Sequence, residues 1–183
     1  GKSTIFPPNI LIGTVESFKI DEAKDYYDIN VTLFTDMTSV KHIYVISNNY
    51  AEEINAYGIQ FSTTYYYPPS DEDALNLYRT IHNETHSIAI MAYNTFWHDY
   101  NFPFHILDQI SEMERVVSLK WARPDNGIPY MEGVARYSEK LAVVDNGGMH
   151  VMNHMLGGTG YITHLATVWP EHDLSVWKLL EAG

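Results

Sequence analysis

The chain has 183 residues with 45% hydrophobic content, enough for one globular domain with a sizeable core. A net charge of −12, from 23 acidic against 11 basic residues without a Lys/Arg cluster, argues against a nucleic-acid surface and against an anionic membrane face. There is no cysteine, no run of about 18 apolar residues and no signal-peptide core at Gly1–Pro8, which excludes a disulfide framework and points to a cytoplasmic protein without a membrane span.

In chain order, short β-rich runs fall near residues 9–14, 31–36, 58–64, 88–94, 116–120, 141–145 and 160–168. Their starts are separated by roughly 20 to 30 residues, the length of a strand, a loop, a helix and a second loop. A short helix is expected after Ile20, over Asp21 to Tyr27. Val40, Ile43, Tyr44, Tyr50, Ala51 and Ile54 then mark one apolar helical face. Ser70-Asp71-Glu72-Asp73 reads as a capping box leading into Ala74, Leu77, Tyr78 and Ile81. Pro103 opens a further helix carrying Ile106, Leu107, Ile110 and Met113.

Alternating strands and helices imply a parallel sheet, and this many units in succession fit an α/β fold of the (β/α)8 TIM barrel type. The glycine fingerprint of a dinucleotide-binding sheet is absent, since Gly13 stands alone after its strand. Such barrels take about 250 residues. The expectation is therefore a single barrel domain over residues 1–183, shortened or incompletely represented, with its first strand unclear and no C-terminal extension.

In a barrel, reacting groups stand at the C-terminal ends of strands. Thr14, Tyr65, Tyr66, Tyr93, Asn94, Lys120, Asp145, Asn146 and His164 fall near such ends. Lys120 closes the apolar run Val116-Val117-Ser118-Leu119-Lys120, where desolvation disfavours an ammonium and a neutral amine is the form that attacks carbonyls. Tyr93 closes a similar run 27 residues earlier and offers a phenol to move protons beside that amine. Lysines at strand ends also serve simply by reaching out to water, and tyrosines there by packing.

From residue 51 onward the chain resembles the dihydrodipicolinate synthase / N-acetylneuraminate lyase family of class I aldolases. Ala51-Glu52-Glu53-Ile54-Asn55-Ala56-Tyr57-Gly58 resembles the family's "AEEAGADG", and Thr64-Tyr65-Tyr66-Tyr67-Pro68-Pro69-Ser70 its "PYY…PS" segment. Tyr93-Asn94 resembles the "YN" strand end, Leu119-Lys120 the Schiff-base lysine, and Leu156-Gly157-Gly158-Thr159-Gly160-Tyr161-Ile162 the "GA.G.I" approach to the last strand. The first 50 residues match loosely. Gly13-Thr14-Val15-Glu16 is similar to the "GTTGE" loop but lacks its second threonine and second glycine.

The resemblance implies a Schiff-base lyase acting on pyruvate or another 2-oxo acid, with no cofactor beyond a covalent imine on Lys120. It implies proton transfer by Tyr93 and a hydroxyl relay through Thr14 and Tyr66. Substrate contacts are expected from Asn94, His98, Asn146 and His164. His98 stands where the synthases carry a carboxylate-binding arginine, so the second substrate is expected to differ. Relatives are commonly tetramers, and a homo-oligomer with Tyr65-Tyr66-Tyr67 at an interface is expected.

Two other functions remain open on the sequence. One is a catalytically silent barrel binding a small carbonyl or sugar acid. The other is a metal-dependent lyase or hydrolase. His150 and His154 share a helical face, but no HExxH glutamate accompanies them, so packing histidines and no metal site are expected.

Overall fold

The computed structural model describes residues 13–21, 26–33, 51, 55–63, 68–95, 100–124 and 127–183. The chain divides into two compact units, Gly1–Tyr44 and Val45–Gly183.

In the first unit, β1 (Gly13–Asp21) and β2 (Tyr26–Leu33) form an antiparallel pair. Where a helix is expected from Asp21 to Tyr27, Asp21 is the last residue of β1 and Tyr26 and Tyr27 are the first of β2, and the residues between lie outside the described ones. The four residues between the strands suit a hairpin, whereas a parallel crossover needs about a dozen or more. Ile29, Val31 and Leu33 alternate with Asp28, Asn30 and Thr32, the period of a strand. A bulge between Val15 and Ser17 shifts the register by one residue. It brings Val15 opposite Val31 and Phe18 opposite Ile29 on one apolar face, which is exposed. On this pair Glu16 accepts a hydrogen bond from Thr32, and Asn30 donates to Ser17 over 3.0 Å.

In the second unit, β3 (Gly58–Ser62), β4 (Ala89–Asn94), β5 (Val116–Trp121), β6 (Ala142–Asp145) and β7 (Gly160–Tyr161) form a parallel sheet in that order. Between them lie α1 (Asp71–Glu84), α2 (Phe104–Ser111), α3 (Ile128–Tyr137) and α4 (His150–Met155). A 3-10 turn (Leu165–Thr167) and α5 (Pro170–Ala182) follow β7. This is the α/β, parallel-sheet class expected. Among the described residues the sheet is open, with β3 and β7 at its edges, and is not the closed barrel expected. Of the two N-terminal strands assigned to that barrel, over 9–14 and 31–36, the described residues pair with each other, Gly13 with Leu33 and Thr14 with Thr32.

The predicted helix starts hold. Ser70 caps α1 by accepting from the Asp73 N–H, and the Asp73 carboxylate reaches back to the Ser70 N–H. Pro103 precedes α2. The helical face expected from Val40 to Ile54 lies almost wholly outside the described residues.

Burial alternates along β4: Ile90, Ala92 and Asn94 are buried, while Ala89, Met91 and Tyr93 are half-buried. Ile90, Ala92, Leu119, Trp121 and Val143 pack against Tyr78, Ile106, Leu107, Tyr130 and Val134 from the helices. Tyr93 and Lys120 belong to the other set, the face that these helices leave uncovered.

Candidate active site

Three adjoining strand ends build the site. The parallel register sets Tyr93 beside Lys120 and Lys120 beside Val144. The end of β4 is fixed from the helix layer: the buried Tyr78 hydroxyl donates to the Phe61 carbonyl (2.6 Å) and accepts from the Tyr93 N–H (3.4 Å). Burial drives the Tyr78 phenol far above its ordinary pKa, so it stays a donor.

The Lys120 amine lies over the Tyr93 ring, 4.2 Å from its centre, an attractive cation–π geometry while the amine is protonated. The Asn146 Nδ2 donates to the Tyr93 hydroxyl over 3.3 Å. Lysine, phenol and amide thus meet on one face of the sheet at the C-terminal ends of β4, β5 and β6.

Beneath them, Asp145 is buried and holds the turn after β6. Its Oδ1 accepts from the Tyr130 hydroxyl (2.7 Å) and the Gly147 N–H (2.9 Å). Burial and the neighbouring carboxylate raise the Tyr130 phenol well above its ordinary pKa.

The other expected residues are placed differently. Asn94, expected to touch substrate, is buried on the helix side. Its Nδ2 donates to the Ala122 carbonyl (2.7 Å) and Asn101 Oδ1 (3.2 Å), and its Oδ1 accepts from the Phe102 N–H (2.9 Å). The side chain is a joint between β4, the end of β5 and the start of α2. Thr14, expected at the C-terminal end of a barrel strand, stands near the start of β1 in the hairpin unit. Tyr66, with Tyr65 and Tyr67, lies outside the described residues, as does His98. His164 is exposed and starts the 3-10 turn, its carbonyl accepting from the Thr167 hydroxyl (2.7 Å).

The histidines of α4 pack. His150 stacks on Tyr161 at 4.6 Å, and His154 meets Trp177 edge-on and Glu181 at 3.2 Å. Among the described residues no group of three or more His, Asp or Glu side chains is arranged to hold a metal ion. No helix there is long and apolar enough to cross a membrane. A groove of about 520 Å³ beside β7 is lined by Tyr161, Ile162, Ala166, Asp173, Leu174 and Trp177. It does not include Lys120, Tyr93 or Asn146. Its apolar lining follows from α5 carrying no buried residue.

Sequence reasoning placed Asn146 against substrate and missed its bond to Tyr93. The available signal was its spacing: two residues beyond Val144, it shares the face that carries Lys120.

A family model described as rod shape-determining protein MreC, barrel core, matches residues 1–47, which include the hairpin. No curated protein matches the chain. Among solved structures, the chain is similar to dihydrodipicolinate synthase from Thermotoga maritima, at 22% identity and TM-score 0.64, over 74% of this chain and 47% of that one. It is similar to the Aquifex aeolicus dihydrodipicolinate synthase at 21% identity and TM-score 0.62, over 73% and 46%. The chloride-inhibited Acinetobacter baumannii dihydrodipicolinate synthase complexed with pyruvate matches at 21% and TM-score 0.63, over 72% and 45%. The chain spans about half the length of these structures. At such identities the likeness establishes fold, and the resemblance read from the sequence is shown in the fold shared with dihydrodipicolinate synthase and N-acetylneuraminate lyase structures.

Proposed function

We propose that the second unit carries the reacting groups of a Schiff-base lyase for pyruvate or another 2-oxo acid. The observation that supports it is the Lys120 amine over the Tyr93 ring at adjoining strand ends, in a fold shared with pyruvate-complexed dihydrodipicolinate synthase. In this reading the neutral Lys120 amine attacks the ketone carbon. A C–N bond forms, and the carbonyl π pair moves to oxygen. Tyr93 accepts a proton from the nitrogen and delivers one to that oxygen, giving a neutral carbinolamine. A second protonation releases water and leaves a protonated imine, the electron sink from which the adjacent carbon reacts as an enamine.

The test is borohydride reduction in the presence of pyruvate, read by intact mass and peptide mapping. A reduced adduct on Lys120, lost in Lys120→Ala, is the expected result. Reversible pyruvate binding without an adduct would instead favour a silent binding barrel, and an adduct retained in Lys120→Ala would remove this lysine from the mechanism.

A further inference from the structure

The direction in which Asn146 points follows from the strand before it. Val143 and Asp145 are buried toward the helices and Val144 is half-buried, so the next position of Val144's kind is Asn146. The ladder continues that far, because the Asn146 N–H donates to the Trp121 carbonyl over 2.8 Å. Asn146 therefore stands one rung beyond Lys120, on the face that carries Lys120 and Tyr93.

From β6 its amide spans β5 and reaches the Tyr93 hydroxyl on β4, 53 residues away in sequence. Two strand spacings of about 4.8 Å separate the outer members of this trio, a gap only side chains reaching toward each other close. The anchor is firm. Asp145 accepts from Gly147 N–H and Tyr130 O–H, and Gly148 takes a left-handed φ of 78° that turns the chain into α4.

A bond donated by the amide to the phenol oxygen leaves the phenol's own proton unspent on Asn146. We propose that Asn146 is a positioning residue for Tyr93, holding the phenol oxygen at the space above the Lys120 amine. That space is where the carbinolamine oxygen forms in the Schiff-base reading, on which this inference rests. Tyr93 passes one proton from nitrogen to oxygen and then supplies one to the departing hydroxyl, recovering it from solvent, so its orientation governs both transfers. Asn146 makes no bond to substrate in this scheme and acts through Tyr93.

The experiment is a double-mutant cycle on imine formation in the intact chain. Pyruvate is the probe, with borohydride quenching at timed intervals and intact mass as the readout. Wild type, Asn146→Ala, Tyr93→Phe and the double variant are compared for the rate at saturating pyruvate, the pyruvate concentration at half-saturation, and the melting temperature. Asn146→Ala is expected to slow adduct formation on the order of 10- to 100-fold, the range of a misplaced proton donor. Half-saturation should stay within about twofold, since the variant removes no substrate contact. The double variant should be no slower than Tyr93→Phe alone, because one partner has nothing left to position once the other is gone. If Asn146→Ala does not fold, Asn146→Asp keeps the shape without the N–H donors and should give the same loss in the same cycle.

An Asn146→Ala rate within about twofold of wild type overturns the proposal, as does a double variant in which the two losses multiply. A change confined to half-saturation does so too, by returning Asn146 to substrate contact. Those results leave the Schiff-base reading standing. A wild-type protein that forms no adduct overturns that reading and this one together.

Discussion

Replacing Asn94 by alanine separates a structural joint from a substrate contact. Asn94 is 1% exposed, and its amide satisfies the Ala122 carbonyl and the Phe102 N–H at 2.7 and 2.9 Å. Asn94→Ala leaves both backbone groups buried without these partners, at about 1–3 kcal/mol each, or roughly 2–6 kcal/mol together. That is a large share of the roughly 5–15 kcal/mol that holds a domain folded. For a loss of about 4 kcal/mol and an m-value of about 2 kcal/mol per molar, the urea midpoint falls by about 2 M. All 4 tryptophans, Trp97, Trp121, Trp169 and Trp177, lie in the unit Val45–Gly183, so tryptophan fluorescence follows its unfolding without contribution from the hairpin. Pyruvate affinity measured in the folded baseline should be little changed. A midpoint within about 0.3 M of wild type, accompanied by weakened pyruvate binding, would refute the joint and restore Asn94 to the substrate.

The remaining predictions concern the helix layer. A Cβ at Gly133 would lie 2.4 Å from Trp121 Cζ2 and 2.7 Å from Cε2, while the indole N–H is held by the Tyr130 carbonyl at 3.0 Å. Gly133→Ala should therefore destabilise by about 1–3 kcal/mol despite alanine's better helix propensity, and should shift the Trp121 emission; a net rise in melting temperature would contradict it. Asp108 accepts two bonds from Arg136, at 2.8 and 2.6 Å, and one from Tyr137 at 3.0 Å. The Arg136 guanidinium, foremost, holds the Asp108 carboxyl below its ordinary 3.8. The stability it contributes is present above that value and is lost as pH falls through the lower folded value. Asp108→Asn should thus melt lower than wild type at neutral pH, with the difference shrinking below about pH 4; a constant difference would count against the pair.

The second unit was legible from residue 58 onward because its signals are local. Ser70 and Asp73 cap a helix wherever they stand, and Pro103 starts one for the same kind of reason. Runs such as Val116–Trp121 announce strands, and the helices between them require the strands to be parallel. The first 50 residues misled for a physical reason. Asp21 to Tyr27 has the polar, charged look of a short surface helix, yet only four residues separate two alternating strands there, too few to cross over. The alternation of Ile29, Val31 and Leu33 was the better signal. Closure of the sheet was not written in any one segment: it depends on what pairs with the β3 and β7 edges, a question that hydrophobic periodicity cannot address.

The candidate site divides along the same line. Tyr93, Lys120 and Asn146 sit on β4, β5 and the end of β6, so the register of three consecutive strands brings them together whether or not the sheet closes. Asn94 shows the limit of a motif. It follows Tyr93 by one residue, and the pleat therefore turns it to the opposite face, among the helices. Imine chemistry asks for an amine, a proton carrier and a fixed distance between them, all of which neighbouring strands can supply. Choosing the second substrate and excluding water ask for an enclosing wall, which β4 to β6 alone do not form. Trapping a simple 2-oxo acid is consequently the more direct probe of what this sheet can do, and turnover of a two-substrate reaction the more demanding one.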